Sequence, residues 1–212
     1  MSPMRKLALA ASLPLLAGCS NEELTGIGYR GGVTSVNEAS FTLWQGAWLT
    51  AAIVGAFTLI LILWPVFFHR KREGEAFPRQ FQYNIPAEVA YTVIPFIIVA
   101  VLFYFTAKKE TVISAKTDTY KHEITVEGIQ WSWQFGYPEA GPDALVTGTP
   151  AQAPVLYVPL GERVRYTITS NDVVHGFWIP AFMIQMQNLP GVTNHLEFTA
   201  NKLGDFPGRC NI

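Results

Sequence analysis

Two long stretches of the sequence contain no charged residue, and they constrain the fold more than any other feature. The first stretch runs from Ala39 to Phe68, and the second runs from Val89 to Ala107. A helix that crosses the roughly 30 Å hydrocarbon core of a bilayer needs about 20 such residues. The sequence therefore predicts two membrane-spanning helices within residues 43–107, the first of them from about Leu43 to Phe68.

The residues at the ends of these stretches predict how the helices are oriented. Trp44 and Trp64 flank the most apolar part of the first stretch, as aromatic residues do at the two bilayer interfaces. The basic run His69-Arg70-Lys71-Arg72 follows at once and marks the cytoplasmic side. Lys108 and Lys109 argue weakly against an external end of the second helix, but the first basic run and the N-terminus outweigh them. We predict a hairpin with a cytoplasmic loop over residues 69–85.

The N-terminus has the pattern of an export signal. Arg5 and Lys6 precede an apolar run from Leu7 to Leu16, which is too short to span a bilayer. The run ends in Leu16-Ala17-Gly18-Cys19, which resembles a bacterial lipobox. We predict a signal peptide over residues 1–18, a lipid on Cys19 and an external segment over residues 19–42. The alternative is an ordinary cleavage site at small residues, with an incidental cysteine.

Residues 108–212 show the pattern of an all-β domain. Apolar and polar residues alternate from His122 to Glu127 and from Arg163 to Thr169, which is the period of a half-buried strand. Val155 to Val158 and Val192 to Thr199 are further strand candidates. Short strands with long connections over about 100 residues favour a Greek-key sandwich or barrel.

Charge and cysteine content exclude several classes of function. The chain of 212 residues carries 15 Lys and Arg against 16 Asp and Glu, a net charge of −1, so no nucleic-acid partner is expected. Its charged fraction of 15% is low beside the roughly 25% of soluble domains. Two cysteines cannot by themselves build a disulfide scaffold or a four-cysteine zinc site. The sequence has no readable glycine-rich phosphate loop or Ser-His-Asp arrangement.

His175 and Cys210 are the residues of the β domain that could hold a metal. His175 follows a predicted strand and begins an aromatic loop that ends at Pro180, and Cys210 lies in a separate C-terminal segment. Imidazole and thiolate are ligands that copper prefers. On spacing alone, a buried structural cysteine and a histidine at the end of a sheet are the favoured alternative.

The run Gln130-Trp131-Ser132-Trp133-Gln134-Phe135 permits two interpretations. In the first, it is a strand whose two tryptophans share a packed face, and composition favours this. In the second, an exposed indole serves as a docking surface where electrons are received. His122 and His195 occur in alternating strand patterns and are expected at the surface.

Glu88 lies at the cytoplasmic start of the second predicted helix. A carboxylate in the first turn of a helix is favoured by the helix dipole and needs no further role. A carboxylate near the bilayer is also costly, which makes a functional role the alternative.

A lipid-attached N-terminus, a two-helix hairpin and then a β domain, in this order, resemble subunit 2 of the cytochrome c oxidases, in the haem–copper oxidase superfamily. The resemblance covers nearly the whole mature chain and implies a membrane-anchored α+β protein, with a two-helix hairpin followed by a cupredoxin-like Greek-key sandwich. Its most specific stretches are Glu88 to Pro95, Gly128 to Trp133, Asp172 to Pro180, Leu189 to Asn194 and Gly208 to Cys210.

The resemblance implies roles for several residues. In that family the outer domain holds a dinuclear copper centre, copper A, bridged by two cysteines spaced Cys-x3-Cys and completed by two histidines, a methionine and a backbone carbonyl. His175 would be the first histidine ligand, Cys210 the first bridging cysteine and Ile212 the carbonyl ligand. Trp131 matches the residue where electrons from cytochrome c enter. Glu88 matches the mouth of a proton pathway into subunit 1.

Two departures from the family pattern affect these roles. The second cysteine, the second histidine and the methionine would all lie beyond Ile212. We expect the sequence to be a piece of a longer chain, and the alternative is a chain that is truncated and free of copper. Ile212 also stands where many members carry a glutamate that reaches a magnesium ion, which makes such a site doubtful here. Asp172 and Gln187 border the expected subunit interface without a firm role.

The resemblance also implies partners and location. Expected partners are oxidase subunits 1 and 3, a cytochrome c or cytochrome c domain as electron donor, and membrane lipids, with haem held in the partner subunit. The chain would lie in a bacterial plasma membrane with its C-terminal domain on the extracytoplasmic side. Two alternatives stay open: a copper-free quinol oxidase subunit 2, and a non-enzymatic membrane lipoprotein that binds copper or a partner.

Overall fold

The computed structural model describes residues 26, 28–70, 74 and 80–212. The predicted signal peptide, the predicted lipid-bearing Cys19 and parts of the loop 69–85 lie outside the described residues. The described residues form two compact units. One unit contains residues 43–111, and the other combines the residues up to Thr42 with residues 112–212.

Two long apolar helices are present, as the sequence predicts. Helix α1 spans Asn37–Phe68 and helix α2 spans Ile85–Ile113, with 32 and 29 residues. At about 1.5 Å per residue each is longer than the roughly 30 Å apolar core of a bilayer. Both are therefore long and apolar enough to cross a membrane.

The helices satisfy their own polar groups, as a segment surrounded by lipid must. Threonine hydroxyl groups donate hydrogen bonds to the carbonyl oxygen four residues earlier in the same helix. In α1, Thr50 and Thr58 do so at 2.8 Å, and in α2, Thr92 does so at 2.9 Å and Thr106 at 2.8 Å. This local bonding lets a polar side chain lie in an apolar helix without a partner elsewhere.

A five-stranded sheet forms one layer of the outer domain. Its strands are β1 (His122–Ile129), β2 (Ser132–Gly136), β3 (Leu145–Thr147), β4 (Arg163–Ser170) and β7 (Asn194–Thr199). They are ordered β3-β2-β1-β4-β7, and only the β1–β4 pair is parallel. The alternation in β1 and β4 places every second side chain in the core, which confirms these two predicted strands.

A three-stranded antiparallel sheet forms the second layer. Its strands are β5 (His175–Ile179), β6 (Ile184–Asn188) and β8 (Arg209–Cys210), in the order β6-β5-β8. The chain crosses to this sheet after β4, returns to the first sheet for β7 and crosses again for β8. This alternation between layers is the cupredoxin-like sandwich that the sequence predicts.

The interior of the sandwich is apolar and aromatic. Tyr166 stacks on Phe198 with ring centroids 4.4 Å apart, and Phe182 meets Phe198 edge to face at 5.3 Å. Both sheets contribute to one core, whose buried members include Ile124, Val126, Val164, Ile168, Phe177, Ile179, Ile184 and Leu196. The core fixes the two sheets relative to each other and so positions the residues at their shared edge.

Two sequence-based expectations in this domain are wrong. Residues 155–158 are not a strand. Pro154 and Pro159 flank the segment, and the N–H of Tyr157 bonds to the side-chain hydroxyl of Tyr137 at 2.7 Å and not to the backbone of a neighbouring strand. The aromatic stretch that begins at His175 is not a loop. It is β5, the central strand of the second sheet.

The segment before α1 belongs to the outer domain. The N–H of Ser35 donates to the carbonyl oxygen of Thr199 at 2.9 Å, and the N–H of Asn201 donates to that of Val33 at 2.9 Å. Buried Asn37 donates from Nδ2 to the carbonyl of Ala181 at 3.2 Å. The start of α1 is thereby fixed to the end of β7 and to the turn after β5.

Candidate metal centre

His175 is the first residue of β5 and is buried, with 6% of its surface exposed. Its Nε2 atom lies 2.7 Å from Oδ1 of Asp172. Its ring packs against Gly128 of β1, and the ring of Trp133 lies 5.7 Å away between centroids. The ring is therefore held by two strands of the first sheet and by the segment before β5.

Cys210 contacts Gly176, the residue after His175, although 34 residues separate Gly176 and Cys210 in sequence. The register of β5 and β8 pairs Cys210 with Phe177, and the N–H of Gly176 donates to Sγ of Cys210 at 3.5 Å. The thiol of Cys210 in turn donates to the carbonyl oxygen of Ile212 at 3.4 Å. Cys210 is exposed and its sulfur is accessible to a ligand.

The three donors that the family resemblance implies for copper thus lie where β5 and β8 meet. The Cys210 sulfur lies 3.4 Å from the carbonyl oxygen of Ile212, and the N–H that contacts this sulfur belongs to Gly176, the residue after His175. This set matches the soft sulfur and imidazole ligands of copper. Within residues 26, 28–70, 74 and 80–212, no three His, Cys, Asp or Glu side chains are grouped closely enough to hold a metal ion. The described residues therefore supply part of a donor set.

Trp131 lies in the turn between β1 and β2, with 75% of its surface exposed. Trp133 lies in β2 and packs edge to face on Phe177, with ring centroids 5.6 Å apart. The two tryptophans do not share a strand face, because the chain turns at Trp131. The predicted shared strand face is therefore wrong for Trp131, whose role as a docking surface for electrons stays a prediction.

Asp172 is a residue whose role the sequence did not reveal. Its carboxylate contacts His175 and accepts hydrogen bonds from the backbone N–H groups of Gln130 and Val173, each at 2.6 Å. The hydrogen bond with His175, together with these N–H groups, holds the pKa of Asp172 below its ordinary value of 3.8. The pattern Asp-Val-Val-His was visible in the sequence, but the contact with Gln130 was not.

Glu88 lies in the first turn of α2, in the other unit. The N–H of Asn84 donates to Oε1 of Glu88 at 3.2 Å, and the N–H of Ala87 donates to Oδ1 of Asn84 at 3.3 Å. These reciprocal bonds resemble a capping box, with the glutamate one residue later than in the standard arrangement. The simple structural role predicted for Glu88 is therefore present, and its proton-pathway role stays a prediction.

The two histidines expected at the surface occupy different surroundings. His122 is about one-third exposed and lies between two carboxylates, with Nδ1 2.6 Å from Glu139 and Nε2 2.5 Å from Glu162. His195 is half-buried in β7, with Nδ1 3.3 Å from Oγ1 of Thr167.

Comparison with known proteins assigns the family. The family described as "Cytochrome C oxidase subunit II, periplasmic domain" matches residues 122–212. A protein of Streptomyces coelicolor named "Probable cytochrome c oxidase subunit 2" is 36% identical over 98% of this chain and 78% of its own length. The chain belongs to the cytochrome c oxidase subunit 2 family.

A further relative agrees with this assignment, and one solved structure is weakly similar. The "Cytochrome c oxidase subunit 2" of Mycobacterium tuberculosis is 33% identical over 98% of this chain and 74% of its own length. The crystal structure of the periplasmic domain of cytochrome oxidase subunit II of Bradyrhizobium japonicum is 28% identical, covers 46% of this chain and 76% of that domain, and has a TM-score of 0.41. The two apolar helices and the periplasmic family domain fit a membrane protein with an extracytoplasmic domain.

Proposed function

We propose that this member of the cytochrome c oxidase subunit 2 family receives electrons from a reduced cytochrome c at Trp131. It passes them through a dinuclear copper A centre to haem in subunit 1, where oxygen is reduced to water and protons are pumped. The observation that carries the proposal is the contact of Cys210 with Gly176, the residue after His175, where β5 and β8 meet.

His175, Cys210 and the carbonyl of Ile212 would hold the copper centre. When bound, the metal pair accepts and releases one electron at a time. The residues of the chain limit movement around it. Gly128 leaves room for the His175 ring, and Trp133 packs against that ring. A ligand held by packing moves little when its metal changes charge, which favours fast electron transfer.

Trp131 would form the contact with the electron donor. Its indole is exposed in a turn that joins two strands of the rigid sheet, so a docked protein reaches it without rearrangement of the core. Exposed aromatic residues on a rigid scaffold are typical anchors of protein interfaces.

Glu88 would receive protons on the cytoplasmic side. The assembly would also contain subunits 1 and 3 and membrane lipids, and Cys19 would carry a lipid. The complex would lie in a bacterial plasma membrane.

The alternative of a quinol oxidase subunit 2 predicts the same fold without copper. The presence of both His175 and Cys210 favours the cytochrome c oxidase over it. A non-enzymatic lipoprotein would not associate stably with a haem subunit.

The test is purification of the full-length protein from its native membranes in mild detergent. We expect haem to co-purify with it, and we expect the complex to oxidise reduced cytochrome c. A preparation without haem would contradict the oxidase role. A haem-containing preparation that oxidises quinol but not cytochrome c would contradict the proposed electron donor.

A further inference from the structure

The carboxylate of Asp172 joins the turn that carries Trp131 to the ring of His175. Its Oδ2 atom accepts the N–H of Gln130 at 2.6 Å, and its Oδ1 atom lies 2.7 Å from Nε2 of His175. Gln130 immediately precedes Trp131 in the chain. The side chain of Asp172 therefore connects the backbone next to the exposed Trp131 to the buried imidazole of His175. The link crosses 42 residues of sequence between Gln130 and Asp172.

Neighbouring contacts fix Asp172 for this role. The N–H of Asn171 donates to the carbonyl oxygen of Gly128 at 3.1 Å, which fastens the segment before β5 to the end of β1. The N–H of Val173 donates to Oδ1 of Asp172 at 2.6 Å and orients the carboxylate. Each carboxylate oxygen therefore has a defined donor, and the two oxygens face different parts of the site.

We propose that Asp172 is a positioning residue that holds the ring of His175 and the Trp131 turn as one hydrogen-bonded unit. This inference rests on the proposed function. An ionised carboxylate only accepts hydrogen bonds, so Nε2 of His175 carries the proton and Nδ1 keeps a free lone pair. Histidines that bind metals commonly have their second nitrogen fixed in this way. The imidazole is thus prepared to bind a metal through Nδ1.

The same carboxylate supplies a short connection for electrons. In the proposed function, one electron would leave the ferrous haem of cytochrome c, which would become ferric, and would pass to the copper centre that His175 and Cys210 would help to hold. Between donor and centre, the peptide N–H of Gln130, the carboxylate of Asp172 and the N–H of His175 form a continuous chain of hydrogen bonds. The Trp131 turn and the His175 ring keep a constant separation as long as this chain is intact.

The experiment tests, in metal-free protein, both hydrogen bonds of Asp172, the one with the N–H of Gln130 and the one with the ring of His175. Full-length protein in detergent micelles, labelled with 15N at histidine and at backbone amides, is stripped of copper with a chelator. Ring 15N shifts report which nitrogen of His175 carries the proton, and hydrogen exchange reports the protection of the Gln130 amide. The variants are Asp172→Ala and Asp172→Asn, and the matched control is Asp143→Ala, an aspartate in the loop before β3.

We expect wild type and Asp143→Ala to have the proton of His175 on Nε2 and a protected Gln130 amide. Asp172→Ala loses both features, while the amides of the β4–β7 ladder stay protected, which shows that the domain is folded. Asp172→Asn keeps only one of the two features, because its amide replaces one of the two acceptor oxygens, which face Gln130 and His175, by an NH₂ donor. An unchanged His175 proton or an unchanged Gln130 amide in Asp172→Ala would overturn the proposal.

A second readout uses the copper-loaded complex. A carboxylate bonded to an imidazole ligand increases the ligand's basicity and stabilises the oxidised metal. We expect the reduction potential of the copper centre to rise in Asp172→Ala and to stay unchanged in Asp143→Ala; equal potentials in all three proteins would contradict the role. A wild-type protein that binds no copper would refute the proposed function, whereas the metal-free measurements would still decide the role of Asp172.

Discussion

Gly128 lies directly against the ring of His175. A Cβ atom on Gly128 would come within 2.6 Å of Cδ2 and within 2.7 Å of Cγ of the imidazole, closer than such atoms approach in proteins. The ring itself is buried and hydrogen-bonded to Asp172, so it cannot swing freely away. The absence of a side chain at Gly128 is therefore what allows His175 to occupy its position.

The substitution Gly128→Ala tests this packing. We expect it to lower the free energy of unfolding by about 1 to 3 kcal/mol, because an added methyl group in a packed interior forces its neighbours to move. Displacement of the ring should also weaken copper binding. Gly208→Ala is the control, since its Cβ would meet only ordinary contacts, the nearest at 3.6 Å. Equal stability and equal copper content in the two variants would contradict the packing role.

The substitution Trp131→Ala tests where electrons are received. Loss of an exposed aromatic anchor typically weakens docking by about 1 to 2 kcal/mol, which corresponds to a roughly tenfold slower oxidation at low cytochrome c concentration. The copper absorption should be unchanged, because the indole is exposed and lies in a turn. Stopped-flow oxidation of reduced cytochrome c measures the rate. The control is Leu203→Ala, which removes another exposed apolar side chain. A rate equal to that of the control would show that Trp131 is not the docking residue.

Glu197 is a buried carboxylate on the polar face of the first sheet, with 2% of its surface exposed. Burial acts to raise the pKa of Glu197, but the N–H of Thr117 and the guanidinium groups of Arg165 and Arg163 outweigh it, and the pKa lies below 4.5. The arginine Nε atoms lie 2.8 and 3.0 Å from the carboxylate oxygens. The ionised Glu197 therefore contributes its full stabilisation above pH 4.5, and this contribution is lost as the pH falls through the lowered pKa.

We expect Glu197→Gln to lower the free energy of unfolding at pH 7 by about 2 to 3 kcal/mol, since both arginines lose their charged partner. The variant should also lose less stability than wild type between pH 5 and pH 3, because the titrating group is gone. Denaturant unfolding across this pH range measures both effects. Glu127→Gln, a change on the same sheet, is the control. If Glu197→Gln lost as much unfolding free energy between pH 5 and pH 3 as wild type, Glu197 would not be the group responsible for the acid sensitivity.

His122 provides a second dependence on pH, of opposite sign. Hydrogen bonds with Glu139 and Glu162 raise the pKa of His122 above its ordinary value of 6.5. The pKa of Glu139 is lowered by His122, and that of Glu162 is lowered by Lys121 and His122. The contribution of charged His122 to stability is therefore complete below pH 6.5 and is lost as the pH rises through the raised pKa.

The substitution His122→Gln should remove this loss. We expect wild type to become less stable between pH 6 and pH 9 and the variant to change less over the same range. His195→Gln, in which the altered ring lies beside Thr167 and not between two carboxylates, should behave as wild type. Identical pH profiles for wild type and His122→Gln would rule out the role of this cluster.

The features that the sequence predicted correctly depend on composition or on short-range periodicity. The helices follow from the absence of charge between Ala39 and Phe68 and between Val89 and Ala107. Strands β1 and β4 follow from alternation within a single segment. The adjacency of His175 and Cys210 was expected from a family resemblance, because nothing in the local sequence determines which strands pair.

The features that the sequence did not predict depend on contacts between distant segments. Asp172 is hydrogen-bonded to Gln130 across 42 residues, and Glu197 is hydrogen-bonded to Thr117 across 80 residues. The dense aromatic run after His175 has no alternation, because both faces of its strand are mostly buried. A continuous apolar run of five residues cannot be distinguished from a packed loop by periodicity.

The near-infrared absorption of the purified full-length protein tests the central claim most directly. Wild type, His175→Ala, Cys210→Ser and the control His195→Ala are compared after purification from native membranes in mild detergent. We predict the absorption band of a dinuclear copper–thiolate centre in wild type and in His195→Ala, and its loss in both ligand variants. A band that persists in His175→Ala, or one that is missing from the wild-type protein, would contradict the account.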